Sequence, residues 1–227
     1  MKTLKLGGLL ALLLLPTLAP AQVSLGLRAG YGLPHGEAFD SSGFGGTVGQ
    51  SGLASGQLPL QVDASWRFGR SLSAGLYLGY AFGRTGARLR DLCSSPGASC
   101  DTPSFLRYGA GVAYAFSRGD RVDPWIGLTG GLQSTSFAMR NFAQSSGSAI
   151  PLVDVTYRGW EVGVEGGLDH RFDEARLAGV FLAYGVGQYT VQDIKLSDGP
   201  GIGGGVTTPH WHEWITLGLR GRYDLTF

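Results

Sequence analysis

From Val23 the chain alternates. Val23, Leu25, Leu27, Ala29 and Tyr31 fall in one phase, and Ser24, Gly26, Arg28 and Gly30 in the other. Successive side chains on a strand point to opposite faces, so this reads as a two-faced β-strand. The last stretch repeats the pattern. Ile215, Leu217, Leu219, Gly221, Tyr223, Leu225 and Phe227 lie opposite Thr216, Gly218, Arg220, Arg222, Asp224 and Thr226.

Six more segments carry the same signal. The second runs from Leu58 to Phe68, with Leu60, Val62, Ala64 and Trp66 against Gln61, Asp63, Ser65 and Arg67. The third has Leu72, Ala74, Leu76, Leu78, Tyr80 and Phe82 in phase. The fourth sets Leu106, Tyr108, Ala110, Val112, Tyr114 and Phe116 against Arg107, Gly109 and Gly111. The fifth begins near Pro124 and shows Ile126, Leu128, Gly130 and Leu132, with Trp125 in the opposite, inward phase. The sixth sets Trp160, Val162, Val164, Gly166 and Leu168 against Glu161, Gly163, Glu165, Gly167 and Asp169. The seventh carries Val180, Leu182, Tyr184 and Val186; Tyr189 and Val191 then sit out of phase, as a β-bulge would produce.

Between the segments, connections alternate in length. Pro34 to Gln57, Gly83 to Ser104, Asn141 to Ala149 and Asp193 to Pro209 read as long loops rich in Gly and Ser. Gly69–Ser71, Ser117–Asp123 and Asp173–Arg176 read as short turns. Eight strands joined alternately by long and short connections predict an all-β, eight-stranded antiparallel up-and-down transmembrane β-barrel with both termini on the turn side.

Alternation alone also fits a secreted soluble β protein. Three features favour the membrane. The polar phase mixes Gly with opposite charges, Arg28, Asp63, Arg67, Arg107, Glu161, Glu165, Asp169, Arg220, Arg222 and Asp224, as a narrow lumen filled by an Arg/acid network requires. Arginine suits such a network because its planar guanidinium binds carboxylates bidentately. Aromatic residues gather toward strand ends: Trp66, Phe68, Phe116, Phe172 and Phe227 on the turn side, and Tyr31, Tyr80, Phe82, Tyr108, Trp160 and Tyr184 on the loop side. That distribution matches two interfacial girdles. Finally, an even strand count with alternating connection lengths suits a barrel between two different compartments.

Composition adds an address. Lys2 and Lys5, the apolar run Leu6–Leu15 and the triplet Ala19-Pro20-Ala21 predict a secretory signal peptide over residues 1–21, cut after Ala21. The remaining domain, residues 22–227, contains one lysine, Lys195. The whole chain has a formal net charge of +1, so no basic excess argues for nucleic acid. Cys93 and Cys100 flank a Pro-Gly turn in an exported chain and are expected to form a disulfide that staples a loop.

The signal peptide, the eight alternating strands and the terminal Tyr223-x-Leu225-x-Phe227 resemble small bacterial outer-membrane β-barrels of the OmpA/OmpX/OmpW-like group. The resemblance implies residence in the cell outer membrane, contact with its lipid, and insertion by the barrel-assembly machinery. That machinery would read Tyr223, Leu225 and Phe227 as an assembly signal. It also implies a barrel alone, without a peptidoglycan-binding domain.

Candidate chemistry is sparse. Gly201-Ile-Gly-Gly-Gly205 lacks the Lys-Ser/Thr and the helix of a phosphate loop and reads as a surface loop. His210, His212 and Glu213 lie at the loop edge of the last strand, where interfacial aromatics explain them more simply than a metal does. No His has a Ser two residues on, as the small lipid-A deacylases do, and His170 falls at the turn side. The expected role is structural or surface-interacting, with external loops offering a possible surface ligand site and no cofactor. A narrow channel for small solutes and an outer-membrane enzyme acting on lipid or surface substrates are the alternatives.

Overall fold

The computed structural model describes residues 22–41, 46–94, 96–117, 120–143, 149–197, 202–206, 208 and 210–225. The signal-peptide region 1–21 and the terminal Phe227 lie outside them. Eleven strands form in chain order: β1 (Val23–Ser41), β2 (Gly46–Gly49), β3 (Ala54–Phe68), β4 (Leu72–Thr85), β5 (Ser99–Cys100), β6 (Ser104–Ala115), β7 (Val122–Ala143), β8 (Ala149–Arg171), β9 (Arg176–Leu196), β10 (Ile202–Gly205) and β11 (Trp211–Leu225). Among the described residues two short helices, Gln50–Leu53 and Ala87–Leu92, sit between the strands.

Eight of the strands close a ring. β1 pairs antiparallel with β3 on one side, Val23 opposite Trp66, and with β11 on the other, Val23 opposite Leu225. The path runs β1-β3-β4-β6-β7-β8-β9-β11 and returns to β1. Closure leaves no unpaired edge within the ring, which a lipid environment demands because hydrocarbon cannot hydrogen-bond a free backbone group. The turns at 69–71 and 172–175, together with residues 116–117 and 120–121, share one end with Val23. Gly69, at φ 67, supplies the left-handed residue of the first. In the last, the Arg176 side chain and backbone hold the Asp173 carboxyl below its ordinary range.

The apolar phase faces outward around the whole ring. Leu27 is 60% exposed, Leu76 59%, Leu128 59%, Leu182 56% and Leu217 64%. A water-soluble fold buries such residues; here they form a belt bordered by Trp66, Phe68, Tyr114, Phe116 and Phe172 below and Tyr31, Tyr80, Phe82, Tyr108 and Tyr184 above. The substitution Leu217→Arg separates the two environments. In lipid it is expected to cost about 2–4 kcal/mol of folding free energy, whereas on a wetted surface it would be nearly neutral. Urea unfolding of the barrel in lipid vesicles measures the difference.

The expected loops are shorter than their sequence suggests, and this is the main correction. The stretch 34–57 is largely ordered: β1 continues to Ser41, with Pro34 opposite Trp214, and folds back on β2 before the helix at Gln50. β7, β8 and β9 extend to 22, 23 and 21 residues, far beyond the predicted segments. Residues 202–205, expected as free loop, pair with β9 as β10. Within 83–104, the helix Ala87–Leu92 and the two-residue β5 form.

The reason is a change of environment along a single strand. On β8, the outward residues Leu168, Val164, Val162 and Trp160 give way to Arg158, Thr156 and Asp154, while the inward series passes from Asp169, Glu165 and Glu161 to Tyr157, Val155 and Val153. Below the switch the outside meets lipid; above it the outside meets water and the inside becomes the core. On β9 the switch coincides with the bulge, where Arg158 pairs with Val191 and Gly159 with Tyr189, leaving Thr190 extra. Tyr189 itself stays inward and fully buried, so only Val191 is displaced to the outer face.

Candidate functional site

The inward phase contains the polar chemistry, stacked in layers. Nearest the turns, Asp224 accepts hydrogen bonds from Ser24 Oγ at 2.6 Å on Oδ1 and from Arg67 Nη2 at 2.6 Å on Oδ2, and Arg222 Nε lies 3.3 Å from Oδ1. One step up, Arg220 grips Asp169 bidentately, with Nε donating to Oδ1 at 2.7 Å and Nη2 to Oδ2. The Trp125 ring lies under the Arg220 guanidinium, 3.5 Å from centroid to Cζ. At mid-height Arg28 bridges two carboxylates, Asp63 at 2.9 Å and Glu165 at 2.6 Å. Above it Arg107 Nε donates to Glu161 Oε1 at 2.7 Å, with Tyr77 Oη reaching the same oxygen at 3.4 Å.

Each of the ten charged residues of the polar phase takes part in one of these contacts; Arg171 Nη1 lies 4.0 Å from Asp224, and Asp123 is buried. Six arginines (28, 67, 107, 171, 220, 222) face six carboxylates (63, 123, 161, 165, 169, 224), so the interior is neutral. Glycines make room for them: a Cβ at Gly26 would overlap the Asp63 carboxylate, and one at Gly218 would overlap the Phe181 ring. Between the layers remain two cavities of about 60 and 50 Å³, and both are lined by Arg28, Tyr77 and Glu165.

Above the charges an aromatic and amide layer spans the mouth. Tyr189 is central. Its hydroxyl lies 2.7 Å from Thr135 Oγ1, accepts from Gln133 Nε2 at 3.0 Å and is reached by Gln50 Nε2 at 3.4 Å, and its ring stacks on His212 at 4.2 Å. Beside it Phe105 meets Trp214 edge-to-face at 5.2 Å. Over this layer sits a core of its own: Ala38, Val48, Leu53 and Leu89 from the loops pack on Phe137, Met139, Val153, Val155 and Tyr157 from β7 and β8. Burial, then the nearby Tyr189 hydroxyl, raise the Tyr157 phenol above its ordinary value.

Sequence reasoning missed Tyr77, Thr135, His212 and Trp214 as interior residues. The signal was available for two of them, because His212 and Trp214 continue the Thr216, Gly218, Arg220 phase. The trio His210, His212 and Glu213 is dispersed. His210 Nδ1 lies 2.9 Å from Glu37 Oε2, His212 is buried inside, and Glu213 bonds Tyr184. Among the described residues no group of three His, Cys, Asp or Glu could hold a metal ion.

Cys93 and Cys100 are bonded, with Cα atoms 5.8 Å apart, and tie the end of the Ala87–Leu92 helix to β5, which pairs with β7. Closing so short a loop is worth about 2.5 kcal/mol of chain entropy. The substitution Cys93→Ser is therefore expected to loosen this loop alone. Proteolysis within 86–103 should quicken, while the boiling-dependent shift of the folded barrel on a detergent gel should persist.

A closed ring of eight antiparallel strands and a lipid-facing belt with two aromatic girdles define the class of fold: a small transmembrane β-barrel. Solved structures agree on the fold. The outer membrane protein AlkL, determined in lipid bilayers, is similar over 91% of this chain and 91% of its own, with 14% identity and a TM-score of 0.53. A major outer membrane protein from Thermus thermophilus is similar over 89% of this chain and 99% of its own, with 14% identity and a TM-score of 0.50. No protein-family model and no curated protein matches the sequence.

Proposed function

We propose that this protein is a closed barrel whose role lies at the cell surface, structural or in contact with an external partner, with an interior that only holds the wall together. The observation that carries the reading is the extension of β7, β8 and β9 beyond the belt, where they build a capped, disulfide-braced platform. From Ala149 to Trp160, β8 runs about 36 Å along its own length at 3.3 Å per residue. A strand built only to cross a bilayer has no use for that span.

The charged layers support a lumen that is filled, as a barrel of eight strands permits. The loop residues Gln50, Leu53 and Leu89 support a closed mouth. Outer-membrane lipid around the belt, and the assembly machinery at Tyr223, Leu225 and Phe227, belong to the same reading. So does a non-catalytic role: His170 packs edge-on to Phe172 on the turn side, and His212 is buried against Tyr189. Deleting the 37–53 lid is expected to leave the barrel folded and to abolish surface binding of cells that display it; retention of full binding would sink the reading.

The narrow-channel alternative has one observation in its favour. The two interior cavities have Arg28, Gln61, Tyr77, Thr129 and Glu165 in common, so rearrangement of this shared wall would join them. Planar-bilayer recording decides between the two. The closed reading expects no stepwise conductance from the intact protein, and regular openings at moderate voltage would establish the channel.

A further inference from the structure

Under the lid lies a titratable side chain whose polar atoms go unanswered. His212 is 1% exposed, and among the described residues neither ring nitrogen has a hydrogen-bond partner. A neutral imidazole carries one donor and one acceptor, and burial leaves both unmet. By register His212 pairs with Gly36 on β1 and Gly187 on β9, beyond the girdle residues Tyr31 and Tyr184 of those strands.

This position is the root of the lid. Gly36 is the last β1 residue paired with β11, and its φ of 75 is a conformation that favours glycine. Beyond it the chain folds into the 37–53 lid. Tyr189, whose ring stacks on His212 at 4.2 Å, belongs to the upper core with Ala38, Val48 and Leu53 of the lid. Its hydroxyl is reached by Gln50. Solvating the imidazole therefore means moving Tyr189, and Tyr189 carries the contacts that hold the lid.

The charges around His212 are already matched. Arg107 on β6 donates to Glu161 on β8 at 2.7 Å, and Tyr77 on β4 reaches the same carboxylate oxygen. Glu37, where the lid begins, lies 2.9 Å from His210, and Glu213 bonds Tyr184. The neighbours from β7, Gln133 and Thr135, carry no charge. A proton on His212 thus adds a second cation beside Arg107, with Glu161 the one carboxylate between them. Burial, then Arg107, disfavour that cation.

We propose that His212 is an acid-sensitive latch whose protonation releases the lid from the barrel mouth. The proposal rests on the closed-mouth reading above. With the lid open the imidazole is wet and takes up its proton in the ordinary range, near about pH 6.5. With the lid closed it stays neutral. Closure is therefore fully favoured above that range and is lost as the pH falls below it, the open-to-closed ratio rising about tenfold per pH unit.

The full barrel in lipid nanodiscs is digested with papain from about pH 7 to about pH 4.5, a range that brackets the free imidazole. Cuts within 37–53 are followed by mass spectrometry. A free peptide of the same sequence, digested alongside, corrects for the protease's own pH dependence. Where opening and closing are fast, cleavage tracks the open population. Relative to the peptide, cleavage of the lid is expected to rise about tenfold per pH unit below about pH 6. His212→Gln and His212→Phe should each abolish the rise, whatever their rate at neutral pH, and His210→Gln should keep it. All three should retain the boiling-dependent gel shift. A lid cut as fast as the peptide at neutral pH would refute the closed mouth itself. A lid protected at neutral pH with no rise in acid overturns the latch and leaves the closed mouth standing. So does a rise that survives in both His212 variants or vanishes in His210→Gln.

Discussion

Arg220→Ala should lower the unfolding free energy of the barrel by about 3–5 kcal/mol, because it strands a buried carboxylate. Asp169 is 1% exposed, and both of its oxygens are held by the Arg220 guanidinium. Without that partner the nearest cation is Arg222 Nη1 at 3.8 Å, outside hydrogen-bonding range. Truncation also removes the cation stacked on Trp125, leaving a gap beneath the central layer. The net worth of the intact pair is far smaller than the cost of halving it, since removing two charges from water offsets most of their attraction. The double variant Arg220→Met with Asp169→Leu is therefore expected to recover most of the loss. Urea unfolding in lipid vesicles, read by tryptophan fluorescence, measures both. A loss below about 1 kcal/mol for the single variant would show that Asp169 reaches water, and with it that the interior is wetter than the packing indicates.

Tyr189→Ala is expected to cost a similar amount, about 3–5 kcal/mol for a buried aromatic, but to spend it locally. The side chain touches three groups that belong to different parts of the molecule: Gln50 in the lid, Gln133 and Thr135 on β7, and the His212 ring on β11. Only the first is held from outside the ring of strands. Its release should expose residues 37–53 to added protease while the transmembrane ring keeps its heat-dependent migration. Tyr189→Phe, which keeps the ring and removes the hydroxyl, should show a milder version, about 1–3 kcal/mol for the partners left unsatisfied. If the ring of strands unfolds together with the lid in Tyr189→Ala, the two are one cooperative unit.

Within the belt the sequence was legible almost residue by residue. Lipid outside and charge inside impose opposite chemistries on adjacent positions, so Leu217 and Arg220, or Val164 and Glu165, declare their faces directly. Beyond the belt that contrast disappears. Ser136 and Thr156 face water, Phe137 and Val155 face the small upper core, and strands there look like any soluble sheet with short, irregular apolar runs. The Gly- and Ser-rich stretch after Pro34 hides a strand for the same reason, since Gly36 and Ala38 carry too little side chain to mark a period. Two interior amides were hidden with it. Gln50 and Gln57 are buried under residues distant in sequence, and both lie in the stretch whose period was not readable.

The switch of polarity along β7, β8 and β9 also sets how deep the barrel can sit. Sliding the wall inward by two residues would carry Arg158 toward hydrocarbon on the outside, and sliding it outward would wet Trp160 and Leu132, so displacement costs free energy in both directions. Arg28, Arg107 and Arg220 tie strands together across the interior and give the wall little freedom to tilt in response. A bilayer thicker or thinner than the belt must then adjust itself, thinning or stretching around the protein at a cost of fractions of a kcal/mol per Å of mismatch. The barrel behaves as a fixed gauge of membrane thickness, and lipids of unequal chain length should sort against its wall accordingly.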